Sequence, residues 1–419
     1  MGRAIGLAAF LVVAAVPAVA SAAEIHVPGD FRRFSAALDA ALPGDVVVVD
    51  KGRHRGPIAV RSPGIVIEGR GGTIVGPASS GGRGLRAGLD VLAADVTIRG
   101  LTFVRGGVLS LAAGTTVEDC VFLRCDEKRF DAYAVELYGD RAVARGNEVH
   151  GRRWDLSGFR VRGDDALLEG NLVLNARLGF GVEVLGNRAR VVGNSLSPVE
   201  SGGAIVVRGE EALVEANLVE MPGGEAPAIL VVGDEALVDG NSVDASLSGG
   251  PSIVVDGDRG AILDNAVTAG AGTGVVVWGD AASVERNSVT GAIPIVIDRP
   301  TFGHGFTGRG SRNVFRGNTT VDAPADGFRL SGGTGNVVDG CVVLGSGACG
   351  LLNLADGTSV LGSTFLGNAT DIFNDGTFAW FEGNDFESGS EEEGTFAGDR
   401  DRWEDYGAGL NNGGVPGRD

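Results

Sequence analysis

From residue 147 to residue 287 one arrangement of apolar and polar positions recurs. "GVEVLGNRARVVGN", "AIVVRGEEALVEAN", "AILVVGDEALVDGN", "SIVVDGDRGAILDN" and "GVVVWGDAASVERN" are its successive forms. Each holds two short runs rich in Val, Ile and Leu, separated by a polar turn that begins with Gly. Short β-branched runs bounded by such turns read as strands. Asn147, Asn171, Asn194, Asn217, Asn241, Asn265 and Asn287 close the copies at steps of 24, 23, 23, 24, 24 and 22 residues. A strand-rich repeat of this period, with no helical phase, makes each copy one coil of a solenoid.

Within a coil the distances are unequal. Ten residues separate Val161 from Asn171, and the same ten separate Val184 from Asn194, Val207 from Asn217, Val231 from Asn241, Val255 from Asn265 and Val277 from Asn287. The remaining stretch of each coil varies, so two corners are tight and one is loose. In the coil of Val184 this predicts strands over 181–186, 189–194 and 195–197. The Asn stands at the corner between the second and third strands, where a residue that tolerates the left-handed region and bonds locally is needed. Stacked amides at that corner can hydrogen-bond from coil to coil.

Continuing the ten-residue rule gives Val60 to Arg70 and Val91 to Leu101, then corners at Cys120, Asn318, Cys341, Ser363 and Asn384. The predicted fold class is all-β, a parallel β-helix solenoid of about 13–14 coils over residues 45–386, about 60 Å long at the usual strand spacing. The periodicity and the Asn corner resemble the right-handed parallel β-helix family, the pectin lyase-like repeat proteins that include pectate lyases, polygalacturonases and many secreted proteins. The resemblance spans about residues 45–385 and implies that architecture. The opening "PGDVVVVDKGRHRG" is similar to the first coil of several β-helix polysaccharide lyases, with His54 where their Gly-aromatic pair carries the aromatic residue.

Residues 1–23 read as a signal peptide: Arg3 leads, an apolar run follows, and small residues offer cleavage after Ala20 or Ala23. The expected location is therefore secreted or periplasmic, with no membrane span. Residues 24–44 carry a strand and then a helix at 30–42, with Asp30 as its cap and Phe31, Phe34, Leu38 and Leu42 on one face. A solenoid must cover its open end, and this helix is the expected lid. Residues 387–419 form an acidic, Gly-rich tail.

Charge divides the chain. Residues 24–162 carry 20 Lys and Arg against 17 Asp and Glu, whereas residues 163–419 carry 14 against 37. The acidic balance argues against nucleic acid, and an anionic ligand would favour the first half. Cys120 and Cys341 share one corner column, too many coils apart for a disulfide, and no spacing among the four cysteines suits a metal. Buried thiols are expected.

Candidate chemistry follows from alternation along the first strand. If Val182 and Val184 face inward, the outward column reads Glu136, Arg160, Glu183, Val206, Leu230, Val254, Val276, Val296, Arg329, Leu352 and Phe373. A second outward column reads Tyr138, Arg162, Leu185, Arg208, Val232, Asp256, Trp278, Asp298 and Ser331. The charged end of this face has an enlarged loop on each side, "RCDEKRFDAY" and "HGRRWDLSG". The catalytic candidates are Glu136, Arg160, Arg162, Glu183 and Lys128. Arginines could neutralise a uronate carboxylate, and a base could take its C5 proton. Glu136 and Glu183 could instead hold a cation such as Ca²⁺; no other cofactor or resident metal is called for. Substrate-binding candidates are Tyr138, Arg129, His150, Arg153, Trp154 and Arg208. A lattice of ion pairs between neighbouring strands would explain the same residues without a ligand.

Two functions remain open. One is an exported module that binds glycan or a protein partner; the other is a lyase, epimerase or hydrolase acting on an acidic polysaccharide. The first is favoured, because the "GHG" at 303–305 lacks the clustered Asp and the Arg-Ile-Lys that accompany it in polygalacturonases. That motif is read as an ornament inserted between a first and a second strand. Finally, Val206, Leu230, Val254, Val276 and Val296 form an outward apolar stripe that the chain's own tail or a partner is expected to cover.

Overall fold

The computed structural model describes residues 22–76, 88–124, 132–151, 156–176, 179–199, 203–291 and 303–387. The signal-peptide reading falls on residues 1–21, outside the described residues apart from its last two, and the tail falls outside them beyond residue 387. Each coil contributes three short strands. In the coil of Val184 these are Val182–Leu185, Arg190–Val192 and Ser195–Val199. All pair in parallel with the equivalent strands of the next coil. The first strands stack into a 14-stranded sheet running from Ile58–Val60 to Thr370–Asn374. The fold is a parallel β-helix of about 14 turns with almost no helix.

The register explains why the repeat folds this way. Val184, Val207, Val231, Val255 and Val277 lie directly above one another and are fully buried. The second strands supply Val191, Val214, Val238, Ile262 and Val284; the third strands supply Leu196, Val219, Val243, Val267 and Val289. Three inward columns of β-branched and aliphatic side chains therefore fill one continuous core, and burying each is worth about 1.5–3 kcal/mol relative to exposure.

The Asn corner is buried throughout. Asn147, Asn171, Asn194, Asn217, Asn241, Asn265 and Asn287 each donate from Nδ2 to Oδ1 of the next Asn in the column, at 2.9–3.0 Å. That Oδ1 also accepts the preceding residue's own backbone N–H, as Asn241 does for Asn217. One part of the corner reading needs correction. The left-handed backbone belongs to the residue before each Asn, as at Gly193 (φ 62°) and Ala216 (φ 53°), and not to the Asn. Glycine takes the strained turn cheaply, which leaves the amide free to bond along the stack. Cys120 and Cys341 occupy the same column as buried thiols, pushed up by burial to about 12 and about 11.

At the N-terminus the strand Glu24–Val27 pairs with Val46–Val49, and the helix is shorter than expected, Phe34–Ala40. Asp30 does not cap it; its carboxylate accepts the His26 amide proton at 2.8 Å, closing the turn that precedes the helix. Phe34, Ala37 and Leu38 are buried, while Leu42 is 65% exposed because the helix ends before reaching it. His54 packs edge-on against Phe34 with ring centroids 5.7 Å apart, and burial lowers its pKa.

A larger correction concerns the coil after Val276. The apolar run around Val296 was expected to be its first strand. The register instead places Thr307 opposite Val276 and Arg309 opposite Trp278, so the strand is Phe306–Arg309. Thr307 and Arg309 thus take the column positions assigned to Val296 and Asp298, which lie outside the described residues. "PIVID" and "FTGR" are both four- to five-residue runs that suit a strand, and alternation alone does not rank them. The ten-residue rule does: Gly308 lies ten residues before Asn318. The extra residues precede the first strand, at the loose corner.

Candidate functional site

The charged end of the first sheet forms a closed network. Glu136, Arg160 and Glu183 are consecutive partners in register, with Arg160 between the two carboxylates. Arg160 Nε donates to Glu183 Oε2 at 2.7 Å and its Nη2 donates to Tyr133 Oη at 2.8 Å. Tyr133 Oη in turn donates to Glu183 Oε2 at 2.7 Å, and Tyr138 Oη donates to Glu136 Oε2 at 2.6 Å. The Arg160 guanidinium lies 4.0 Å from the Tyr133 ring centroid, and that of Arg162 lies 5.2 Å from the Tyr138 centroid, both within cation–π range. Glu136 is 4% exposed and Glu183 8%. Burial raises the Tyr133 hydroxyl pKa and Glu183 raises it further; for Tyr138 the same holds with Glu136. Burial would lower the Arg160 pKa, but the bond to Glu183 and the surrounding charges outweigh it and raise the value.

This geometry limits what the network can do. Arg160 stands in register between Glu136 and Glu183, where a shared cation would have to sit, and it donates to Glu183 and Tyr133. Arg162 and Arg208 remain exposed two coils apart in the second outward column. His150 is not part of this face. It belongs to the third-strand sheet, in Glu148–His150, and bonds Glu148 Oε2 at 3.1 Å. The strand Leu156–Arg162 begins earlier than the loop reading allowed, so His150 is the end of a third strand and not part of a wall. Lys128, Arg129, Arg153 and Trp154 lie outside the described residues. Tyr133 falls in the run that reads as an enlarged loop from sequence; the strand Ala132–Tyr138 carries it onto the sheet.

Farther along the same sheet lies an open cleft of about 680 Å³. Thr273, Val276, Trp278, His304, Thr307 and Arg329 line it, and Trp278 is 45% exposed. His304 was read as an ornament; the shifted strand puts it two residues before Phe306, packed into the cleft wall. Its Nδ1 lies 3.2 Å from both the Asp326 backbone N and Asp326 Oδ2, accepting from the amide in one tautomer and donating to the carboxylate in the other. Asp326 Oδ1 accepts the Cys349 amide proton at 3.1 Å, and Arg329 Nη1 donates to Oδ2 at 3.4 Å. Burial would raise the Asp326 pKa, yet His304, the Cys349 amide and Arg329 together hold it below the usual value. Thr307 Oγ1 is buried without a hydrogen-bond partner among the described residues. A second cavity of about 450 Å³, lined by Asp256, Asp258, Trp278 and Arg309, shares Trp278 with it.

Above the sheet's inward columns, the apolar stripe is already covered in large part. Val206, Val254 and Val276 are buried and Leu230 is half-buried. Pro251 and Thr273, from the loose corners, line the same cleft as Val276.

A family model described as a right-handed beta helix region matches residues 227–386. The chain is a right-handed parallel β-helix. No curated protein matches it in sequence. Among solved structures it is similar to a PL6 alginate lyase in complex with a trisaccharide, at 13% identity and a TM-score of 0.57, over 84% of this chain and 86% of that one. An alginate lyase in complex with G6 matches at 12% identity and a TM-score of 0.54, over 80% and 82%. A tailspike protein of E. coli bacteriophage HK620 matches at 13% identity and a TM-score of 0.49, over 81% and 71%. At these identities the likeness is one of fold. Among the described residues no helix is long and apolar enough to cross a membrane, and no three His, Cys, Asp or Glu side chains converge as metal ligands.

Proposed function

We propose that this protein is an exported β-helix that binds a glycan on its first sheet, in the cleft beside Trp278. One observation carries the reading: a half-exposed indole walls a cleft whose other groups are a buried orphan hydroxyl and a bonded His–Asp–Arg cluster. Sugar recognition uses such a combination, an apolar ring face for stacking with a few fixed polar groups for orientation. Structural neighbours that hold oligosaccharides on the same fold are in keeping with it. The N-terminal signal-like segment supports export. A second reading places an acidic polysaccharide over Arg162 and Arg208, favoured by their exposure in one outward column. Catalysis there, with Glu136 or Lys128 as base, is the enzymatic form of that reading.

The test is a glycan panel screened against the purified mature chain, followed by affinity measurements on Trp278→Ala and Arg162→Ala. The proposal expects Trp278→Ala to lose at least roughly tenfold in affinity, as removal of an aromatic anchor does, with Arg162→Ala unaffected. Loss in Arg162→Ala alone would move the ligand to the charged end.

A further inference from the structure

We infer that the Trp278 cleft takes an uncharged glycan and turns polyuronates away. This rests on the glycan-binding reading above and names the ligand class for that site.

The charges around Trp278 are the first argument. The two cavities that share the indole present Asp256, Asp258 and Asp326 against Arg309 and Arg329, with the His304 imidazole beside them. Binding a polyuronate needs cations free to meet a carboxylate on successive sugars. Arg329 is partly committed, because its Nη1 donates to Asp326 Oδ2 at 3.4 Å. The imidazole is turned to the same carboxylate, 3.2 Å away. Asp326 therefore already offsets much of the positive charge that a ligand carboxylate would meet there. Over residues 163–419 the sequence carries 37 Asp and Glu against 14 Lys and Arg, an acidic balance that disfavours an anionic ligand.

The second argument is what the cleft offers instead. Thr307 Oγ1 is buried in its lining and has no partner among the described residues. An unpaired buried hydroxyl costs free energy until something bonds it, and a sugar hydroxyl can both donate and accept. Thr273 is also nearly buried there, and Val276 and Trp278 supply apolar surface for a ring face. The third argument is extent. Trp278 lines both cavities, so the concave surface continues beyond one sugar's width, which fits an oligosaccharide better than a single sugar.

The same face contains the contrasting case. Arg162 and Arg208 are exposed six and four coils from Arg309, at the charged end of the sheet, and any polyuronate should prefer that end. The experiment compares neutral oligosaccharides (glucans, galactans, fructans) with alginate and polygalacturonate oligomers, using the mature chain, Trp278→Ala, Trp278→Phe and Arg162→Ala. At low salt a neutral glycan should bind at least roughly tenfold tighter than either polyuronate, in line with the size of steering effects. Trp278→Ala should abolish that binding and Trp278→Phe should keep part of it. Added salt should leave the neutral ligand unchanged and relieve repulsion of a polyuronate from the cleft. If a polyuronate binds tightest and Trp278→Ala abolishes it, the ligand class is wrong while the site stands. If no glycan binds, or if binding ignores both Trp278 variants, the underlying reading fails and the inference goes with it.

Discussion

Replacing Asn217 by Leu tests the corner on which every coil depends. Asn217 is 1% exposed. Its Nδ2 donates to Val191 O at 2.8 Å and to Asn241 Oδ1 at 2.9 Å; its Oδ1 accepts from Asn194 N at 2.9 Å and Asn194 Nδ2 at 3.0 Å. Leucine has a similar size but makes none of these bonds. Asn194 Nδ2 keeps Leu168 O and Val192 O, and Asn241 Oδ1 keeps the Asn217 backbone N–H. The groups left worst off are the Asn194 N–H and Val191 O. At about 1–3 kcal/mol for each orphaned buried group, less some gain from burying Leu, the expected loss is about 2–4 kcal/mol. Urea unfolding followed by circular dichroism reads it as a lower midpoint, with the exposed Asp256→Ala as control at about 0.5 kcal/mol or less. Because coils couple mainly to their neighbours, loss of two-state behaviour around this coil would also count as the predicted damage. A midpoint shift no larger than that of the control would refute the reasoning.

Three further outcomes are expected. Glu183→Ala should destabilise by about 2–4 kcal/mol, because the mostly buried Arg160 loses the carboxylate bonded to its Nε, whereas the double change Arg160→Leu, Glu183→Leu should recover most of the loss; equal losses in denaturation would contradict the ion-pair lattice. Gly233→Ala should cost about 2–4 kcal/mol, since φ is +146° and the new Cβ would stand 2.1 Å from Gly209 O, and an unchanged thermal midpoint would contradict the stacking at that turn. The Asp326 pKa is held below its ordinary 3.8, so its contribution is fully present above that value and is lost as pH falls through the lower folded-state pKa. Asp326→Asn should therefore lose stability at neutral pH and show a shallower decline in acid than the parent, measured by denaturation across pH.

How much of this was legible in the sequence depends on the kind of information involved. Period two and period twenty-three are properties of residues close together in the chain, so Val184, Val207 and Val231 could be stacked without coordinates. The Asn column followed from the same count, although the share of strain between Gly193 and Asn194 did not, because the two residues divide a single turn. Loose corners carry no period. That is why the sequence alone puts the first strand at Val296, Tyr133 in an enlarged loop and His304 in an ornament. All three errors sit at the variable corner, and the cleft is built there. The signal that would have found it was present: counting ten residues back from Asn318 reaches Gly308 and carries Thr307 and His304 to the sheet. What no count could supply was the pairing of His304 with Asp326, which lies on the next coil.

The central claim is that the ligand sits beside Trp278 and not over the Glu136–Glu183 network. A crystal structure of the mature protein with the tightest-binding oligosaccharide from the panel tests it most directly. The account predicts a sugar ring stacked on the Trp278 indole, with one of its hydroxyls within hydrogen-bond distance of Thr307 Oγ1. An oligosaccharide lying over Tyr138, Arg162 and Arg208, with only solvent at Trp278, would contradict it.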